Sequence, residues 1–279
     1  MIVTVLGSGG SEGIPVPYCK CRVCQSGDTR CRTSYLIRLG GGFLLVEIGP
    51  DFRRQQLKYG FPIDYLFVSH EHHDHISGLA ELRHIMLVAK IRMRPPRILI
   101  SKRLHKKLRR QHRPEKEGFI FAYNELVRKR KLIPVLLDYG KRYSFDGFEM
   151  EIFRNRHENI ACDGFLLGSE GKKIAYIADA GMLYQKNENL INDSIPDLLI
   201  ANTPFFYSGS RLRAEDHRNA RRNRITHHIG IDTIEHLKAR KILLSHFSHK
   251  SGLTSREIKR KVAEYRNVIA AEDGLEIRV

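Results

Sequence analysis

Apolar positions along this chain come in short runs of about five residues, separated by Gly, Pro, Asn and Asp, with stretches of helical spacing between them. Residues 2–6 (IVTVL) read as a strand that ends at Gly7-Ser8-Gly9-Gly10. The runs 34–39 and 43–48 flank Gly40-Gly41-Gly42 and read as a hairpin. Asp51 is placed to cap a short helix reaching Tyr59. A β-rich run, 65–69, leads into a histidine-rich segment, and 76–88 then carries Leu79, Leu82, Ile85 and Met86 at helical spacing.

Beyond Pro95-Pro96 the pattern predicts a strand at 98–100 and a basic, partly helical stretch from 102 to about 131. Short strands follow at 132–137, 143–145, 148–153, 164–167 and 174–178, and later at 198–201 and 241–245. A polar segment, 208–224, and a helix near 231–239 separate the last two. An amphipathic helix at 254–265 and final strands within 268–279 complete the reading. Strand clusters therefore interleave with helices twice. That pattern predicts an α/β fold in four layers, αββα, with two sheets face to face and helices outside. The whole chain, 1–279, reads as one such domain, with a basic insertion near 90–131.

Composition sharpens this picture in three ways. No run of about 20 apolar residues is present, so no transmembrane helix and no membrane partner are expected. The N-terminal run lacks a charged region ahead of it and reads as a strand rather than a signal peptide, so the expected location is cytoplasmic. The formal net charge is +17, much of it local: residues 90–142 hold 18 Lys or Arg against 4 Asp or Glu. Such a surface suits an anionic partner, phosphate or RNA, or equally a solvated helix face.

The chemistry concentrates in His70-Glu71-His72-His73-Asp74-His75, directly after an apolar strand. The spacing is H-x-H-x-D-H. Residues two apart on an extended chain share a face, so His70 and His72 can grip one ion. Where the chain turns into a helix, Asp74 and His75 can swing toward a second. Imidazole and carboxylate donors suit zinc, iron or manganese.

SHEHHDHISGL resembles the signature of the metallo-β-lactamase superfamily, whose αββα sandwich carries its site at one edge where loops of both halves meet. The resemblance implies that His157, in NRHENIACDGF, completes the first metal's ligands. It implies that Asp179, in KIAYIADA, bridges the two metals and that His246, in ILLSHFSH, completes the second. LGSGGSEGIPVPYCKC, VEIGPDFRRQQL and LLSHFSH together resemble the phosphoribosyl cyclic phosphodiesterase branch, a relative of tRNase Z and of the pyrroloquinoline-quinone biosynthesis protein B. Glu47 stands where those relatives usually carry Asp.

Cys19, Cys21 and Cys24 give C-x-C-x2-C, among five cysteines in all. Three thiolates leave a tetrahedral zinc one ligand short. The resemblance implies His249 as the fourth, in a closed structural site. Cys31 and Cys162 show no partner in the sequence. The expected cofactors are thus two divalent ions, zinc or manganese, at the active site and one structural zinc. Two ions sharing a hydroxide would supply a nucleophile at neutral pH, with Asp74 offsetting their charge. His228, in RITHHIGIDTIEHL, is the candidate to hold a phosphate oxygen or protonate the leaving group, with His227 as its rival. The leading expectation is a phosphodiesterase for a small cyclic or nucleotide-like phosphodiester. A tRNase Z-like ribonuclease using the basic segment as an RNA arm, a pyrroloquinoline-quinone-type oxidoreductase, and a nucleic-acid binder with structural metals are the alternatives. A homodimer is a further candidate assembly.

Overall fold

The computed structural model describes residues 1–110, 118–207 and 228–279. Two seven-stranded sheets lie face to face. The first runs β14-β1-β2-β3-β4-β5-β6 and the second β13-β12-β11-β10-β9-β8-β7. In chain order the first sheet uses β1 (Ile2–Gly7), β2 (Ser34–Leu39), β3 (Gly42–Val46), β4 (Tyr65–Phe67), β5 (Arg97–Ser101), β6 (Ile133–Leu137) and, last, β14 (Glu276–Arg278). The second uses β7 (Arg142–Phe145), β8 (Phe148–His157), β9 (Ile160–Ser169), β10 (Lys172–Ile177), β11 (Leu198–Asn202), β12 (Ile242–Ser245) and β13 (Val268–Ala270).

The two sheets obey the same rule. Each is antiparallel on one side and parallel on the other. Parallel pairing begins at β3–β4 in the first sheet and at β10–β11 in the second. The inner parallel strands of the second sheet are apolar without interruption, as in LLIA and ILLS, because both of their faces are covered. Between the sheets, Phe67, Phe165 and Tyr176 are fully buried, with Phe67 and Phe165 edge to face at 5.0 Å. Each such side chain contributes about 1.5–3 kcal/mol by leaving water. Helices Phe52–Tyr59, Lys102–Arg110 and Phe119–Arg128 cover the first sheet, and Gln185–Ser194 and Ser255–Val262 the second. The four layers are those the sequence pattern predicts.

Local departures have physical reasons. The helix expected over 76–88 is broken at Ser77-Gly78, between His73–Ile76 and Leu79–Arg83. Gly78 packs on Gly49, and a β-carbon there would lie 2.4 Å from the Gly49 carbonyl oxygen. The helix expected near 231–239 is a single turn, Ile231–Ile234. Leu237 N–H bonds back three residues to Ile234, and Lys238 N–H is taken by the Asn192 side chain. Strands β8 and β9 run on to a hairpin at Glu158-Asn159, past the ends expected at 153 and 164. Helix Gln185–Ser194 has only Asn187 and Ile191 buried, too thin a stripe for periodicity to announce. Asp51 does not cap its helix. Its carboxylate instead accepts from Arg32 N–H at 2.7 Å.

The basic stretch is woven into this architecture. Its strand β5 pairs with β4 on one side and β6 on the other. Several of its charges are spent inside the molecule. Lys107 pairs with Glu71, Lys102 pairs with Asp138 at 2.8 Å, and Arg103 donates to the Ala161 carbonyl at 2.9 Å. Lys106 and Arg110 remain exposed.

Candidate metal centre

The candidate residues gather at the carboxyl ends of the parallel strands, where each sheet switches from antiparallel to parallel. Open α/β sheets bind ligands at this kind of place, because neighbouring connections diverge and leave a crevice. From the first sheet, the segment after β4 supplies His70, His72, Asp74 and His75, and the end of β3 supplies Glu47. From the second, β10 leads to Asp179, β12 to His246, and the β8–β9 hairpin presents His157.

Two donor groups result. His70, His72 and His157 form one, and Asp74, His75, Asp179 and His246 the other, with the donor atoms of each group within 4.8 Å of one another. The imidazole centroids of His70 and His72 are 4.6 Å apart, and those of His70 and His75 4.3 Å, so the groups adjoin. His73, the motif's other histidine, is exposed. Asp74 Oδ2 lies 3.2 Å from His75 Nε2 and 3.3 Å from His246 Nε2. Asp179 Oδ2 lies 3.4 and 3.2 Å from the same two nitrogens.

The chemistry of these donors fits divalent cations. His70 Nε2 and His157 Nδ1 are buried with no hydrogen-bond partner, a costly arrangement that an ion would relieve. Burial, reinforced by the charge of His75, holds His70 well below the usual histidine range, so it would meet an ion as a neutral imidazole. Burial opposes ionisation of Asp74 and Asp179, yet the imidazoles of His75 and His246 hold both carboxyls well below their usual range. Burial likewise opposes charge on His75, but Asp74, Asp179 and Glu47 draw it well up. Protons thus balance the carboxylates when no cation is bound, and metal binding should release them.

A second layer holds the ligands in place. Glu47 is fully buried at φ 62 and accepts from Tyr176 Oη at 3.0 Å and from Ser69 N–H at 3.3 Å. Its side chain also lies 3.5 Å from His75 Nδ1, so the longer side chain does reach that candidate ligand. Ser69 Oγ lies 2.8 Å from His70 Nδ1, and Asn202 Nδ2 donates to Asp179 Oδ1 at 2.8 Å. Such partners fix ring and carboxylate orientation. Cys162 also has a neighbour that the sequence did not disclose: its Sγ is 3.5 Å from His70 Nδ1. Ser69, Tyr176, Asn202 and Cys162 carry no spacing signal, since each meets its partner only through the fold.

The groups open into a pocket of about 200 Å³ lined by His72, His157, Asp179, His228, Phe205 and Lys250 among others. The ring of His228 is 4.9 Å from that of His157 and 6.0 Å from Phe205. His227 lies outside the described residues.

The third cluster is separate. Cys19, Cys21 and Cys24 place their sulfurs 3.5, 3.4 and 3.5 Å from one atom, His249 Nδ1. Four donors around a common centre suit a tetrahedral ion. A backbone hydrogen bond from Cys24, aided by His249, brings the Cys21 thiol down to about 6, whereas burial pushes Cys24 up to about 11. His249 Nε2 faces Glu12 Oε1 at 3.5 Å, and Glu12 also accepts from Ser248 Oγ. Glu12 also lines the pocket at the His/Asp groups, so it touches both clusters.

Two sheets of this topology, with histidines and aspartates at their shared edge, define the metallo-β-lactamase fold. Solved structures agree. A diphosphatase of the PhnP family superposes with a TM-score of 0.75 at 22% identity, covering 99% of this chain and 96% of the other. Zinc-bound PqqB from Methylobacterium extorquens gives 0.79 at 16% identity over the whole of both chains. The short form of human tRNase Z gives 0.65 at 20% identity, over 100% and 99%. At these identities the likeness is one of fold. The chain belongs to the family described as anti-Pycsar protein Apyc1, whose model matches residues 26–211. Among curated relatives, an octanoyltransferase of Porphyromonas gingivalis is 46% identical over 86 residues, 29% of this chain and 18% of that protein. Ribonuclease Z of Haloarcula marismortui is 36% identical over 84 residues, 29% of this chain and 23% of the relative. The matched stretch therefore spans about a fifth of either relative's length. No helix among the described residues is long and apolar enough to cross a membrane.

Proposed function

We propose that this protein is a metal-dependent phosphodiesterase acting on a small cyclic or nucleotide-like phosphodiester. The observation that carries the reading is the pair of adjoining donor groups opening into one small pocket. His70, His72 and His157 would hold one ion, Asp74, His75 and His246 a second, with Asp179 between them. Divalent ions there would supply Lewis acidity toward water and toward a phosphoryl oxygen. Cys19, Cys21, Cys24 and His249 would hold a structural zinc. The pocket, at about 200 Å³, is smaller than the roughly 300–1,000 Å³ that drug-sized ligands occupy, which favours a small substrate over a folded RNA.

The chain's own residues divide the remaining work. Glu47, Ser69 and Asn202 keep His75, His70 and Asp179 aimed at their centre. His228 lines the pocket beside His157, placed to hold a phosphate oxygen or to donate a proton to the leaving alkoxide. Lys250 adds a positive charge at the rim, where a phosphate would enter.

The test is a panel of cyclic nucleotides, ribose cyclic phosphates and short RNA, offered to protein loaded with zinc or manganese. Cleavage of the small diesters supports the reading. Cleavage of RNA alone would replace it with a ribonuclease, and turnover that needs iron and oxygen would replace it with an oxidoreductase. His228→Ala should lower kcat about 10²–10⁴-fold on alkyl leaving groups and far less on nitrophenolate, with metal content unchanged.

A further inference from the structure

A second cavity, of about 330 Å³, shares no lining residue with the metal-site pocket. Its walls are the loop at 27–31, one face of helix Phe52–Tyr59, Ser255, and the turn at Glu272-Asp273. Three cationic side chains line it, Arg30, Arg54 and Lys58, and so do three carboxylates, Asp28, Glu272 and Asp273.

The carboxylates are committed to the protein. Asp28 accepts from Arg30 Nη2 at 3.1 Å and from Ser255 N–H at 2.6 Å. Glu272 pairs with Lys259 at 2.7 Å. Asp273 accepts from Ser8 N–H, Ser8 Oγ and Cys31 N–H at 2.7–2.9 Å. Arg54 and Lys58 have no carboxylate partner among the described residues. Both are exposed side chains on the cavity wall, with Lys58 Nζ 4.9 Å from the centre of the Tyr59 ring.

Two buried wall atoms also lack partners. Arg30 is 5% exposed, its guanidinium packed 5.7 Å from the centre of the Phe247 ring, yet Nη1 makes no hydrogen bond. Gln55 is 2% exposed, and its Nε2 donates to the Leu6 and Arg32 carbonyls at 3.4 Å each, while Oε1 accepts nothing. Natural proteins rarely leave buried polar atoms unpaired. Water could fill both, but the neighbouring Arg54 and Lys58 favour an anion over water. An occupant that meets Arg30 Nη1, the two cations and Gln55 Oε1 together is an anion with at least one donor. A phosphate monoester carries between −1.5 and −2 near pH 7, and a hydroxyl on its organic part supplies the donor.

We propose that this cavity is a second ligand site, built for a small hydroxyl-bearing phosphate monoester. Its phosphate would sit among Arg30 Nη1, Arg54 and Lys58, with its hydroxyl donating to Gln55 Oε1. The same Arg30 lies against Phe247, the neighbour of His246, and bonds the Leu253 carbonyl and Ser255 Oγ at 3.4 and 3.1 Å. An occupant would thus steady the segment that carries His246 and His249.

Hydrogen exchange of the metal-loaded protein tests the site locally, with glycerol 1-phosphate, inorganic phosphate and glycerol as probes. Glycerol 1-phosphate should slow exchange in 27–31 and 52–59, inorganic phosphate should do so more weakly, and glycerol should not. Arg54→Ser combined with Lys58→Ser should raise the protecting concentration at least about tenfold, as expected when charge-assisted hydrogen bonds are lost. Melting temperature and metal content of that variant should stay as in the wild type. Absence of protection, equal protection by glycerol, or undiminished protection in the double variant would overturn the site. Equal protection by inorganic phosphate would overturn the role given to Gln55.

Discussion

The two donor clusters of this protein solve the same problem in opposite settings. The His/Asp cluster is built from strand ends of both sheets and is almost wholly buried. The Cys/His cluster rests on one loop and the short turn His249–Ser251, and all four donors are half exposed. Burial makes the first expensive without a cation, since its carboxylates must be balanced by protonated imidazoles. Exposure makes the second cheap to leave empty but weak as a fold element until four donors close on one ion. The first is therefore suited to chemistry with an open side facing the pocket. The second is suited to bracing, and an ion held there would brace the loop that also carries His246.

The contrast breaks most visibly at Asp179. Asp179→Asn keeps the shape and the Asn202 contact but removes the charge shared by both halves of the buried cluster. Hydrolysis should fall at least about 10²–10³-fold, the scale seen when a preorganised electrostatic group is lost. Elemental analysis should show active-site metal lost and the Cys-bound ion retained. Unchanged activity on every phosphodiester would remove Asp179 from the centre of the scheme.

Cys21→Ser tests the other member. One ion per chain should disappear, and the melting temperature should fall by roughly 10 °C, because metal binding there is part of folding free energy. The buried cluster should still load. Activity should drop by about tenfold through the run His246-Phe247-Ser248-His249 and Glu12, a typical cost of disturbing the supports of a metal site. A variant that keeps all its ions would refute the structural site, and one that keeps full activity would show the two clusters to be independent.

What the sequence discloses follows from how local each signal is. H-x-H-x-D-H is legible because strand and turn geometry act within six residues. The uninterrupted apolar runs LLIA and ILLS expose the parallel strands for the same reason. His157, Asp179 and His246 become readable through their places at strand ends, together with the family resemblance. Ser69, Tyr176 and Asn202 stay silent, because an ordinary hydroxyl or amide gains its role only when distant strands align. Tyr176 and Glu47, 129 positions apart, are such a pair. The basic stretch is legible only in part: charge counting does not show that Lys107 and Arg103 pin Glu71 and the Ala161 carbonyl, whereas Lys106 and Arg110 stay exposed.

A smaller effect sharpens the comparison from just behind the buried cluster. Asp163 follows Cys162 on β9, fully buried, and its N–H donates to the Ser69 carbonyl at 3.0 Å. Its Oδ1 accepts from Tyr139 Oη at 2.8 Å, the Arg103 guanidinium is no nearer than 4.0 Å, and Oδ2 has no hydrogen-bond partner. Lacking the close imidazoles that hold Asp74 and Asp179 down, it is pushed up by burial to about 6. A carboxyl raised in the folded state binds its proton more tightly there than in the unfolded chain. Its contribution to stability is complete below about pH 4, the unfolded value, and is lost as pH rises through about 6. The loss amounts to about 2–3 kcal/mol for a shift of this size. Asp163→Asn removes the titration while keeping an oxygen to accept from Tyr139. Denaturant unfolding of both proteins between pH 4 and 8 should show wild type losing stability relative to the variant as pH rises through that window. Protonation of the metal ligands affects both proteins alike and cancels in the difference. Parallel stability curves would mean that Asp163 is ionised at ordinary carboxylate pH, and that Arg103 reaches it more closely in solution than 4.0 Å.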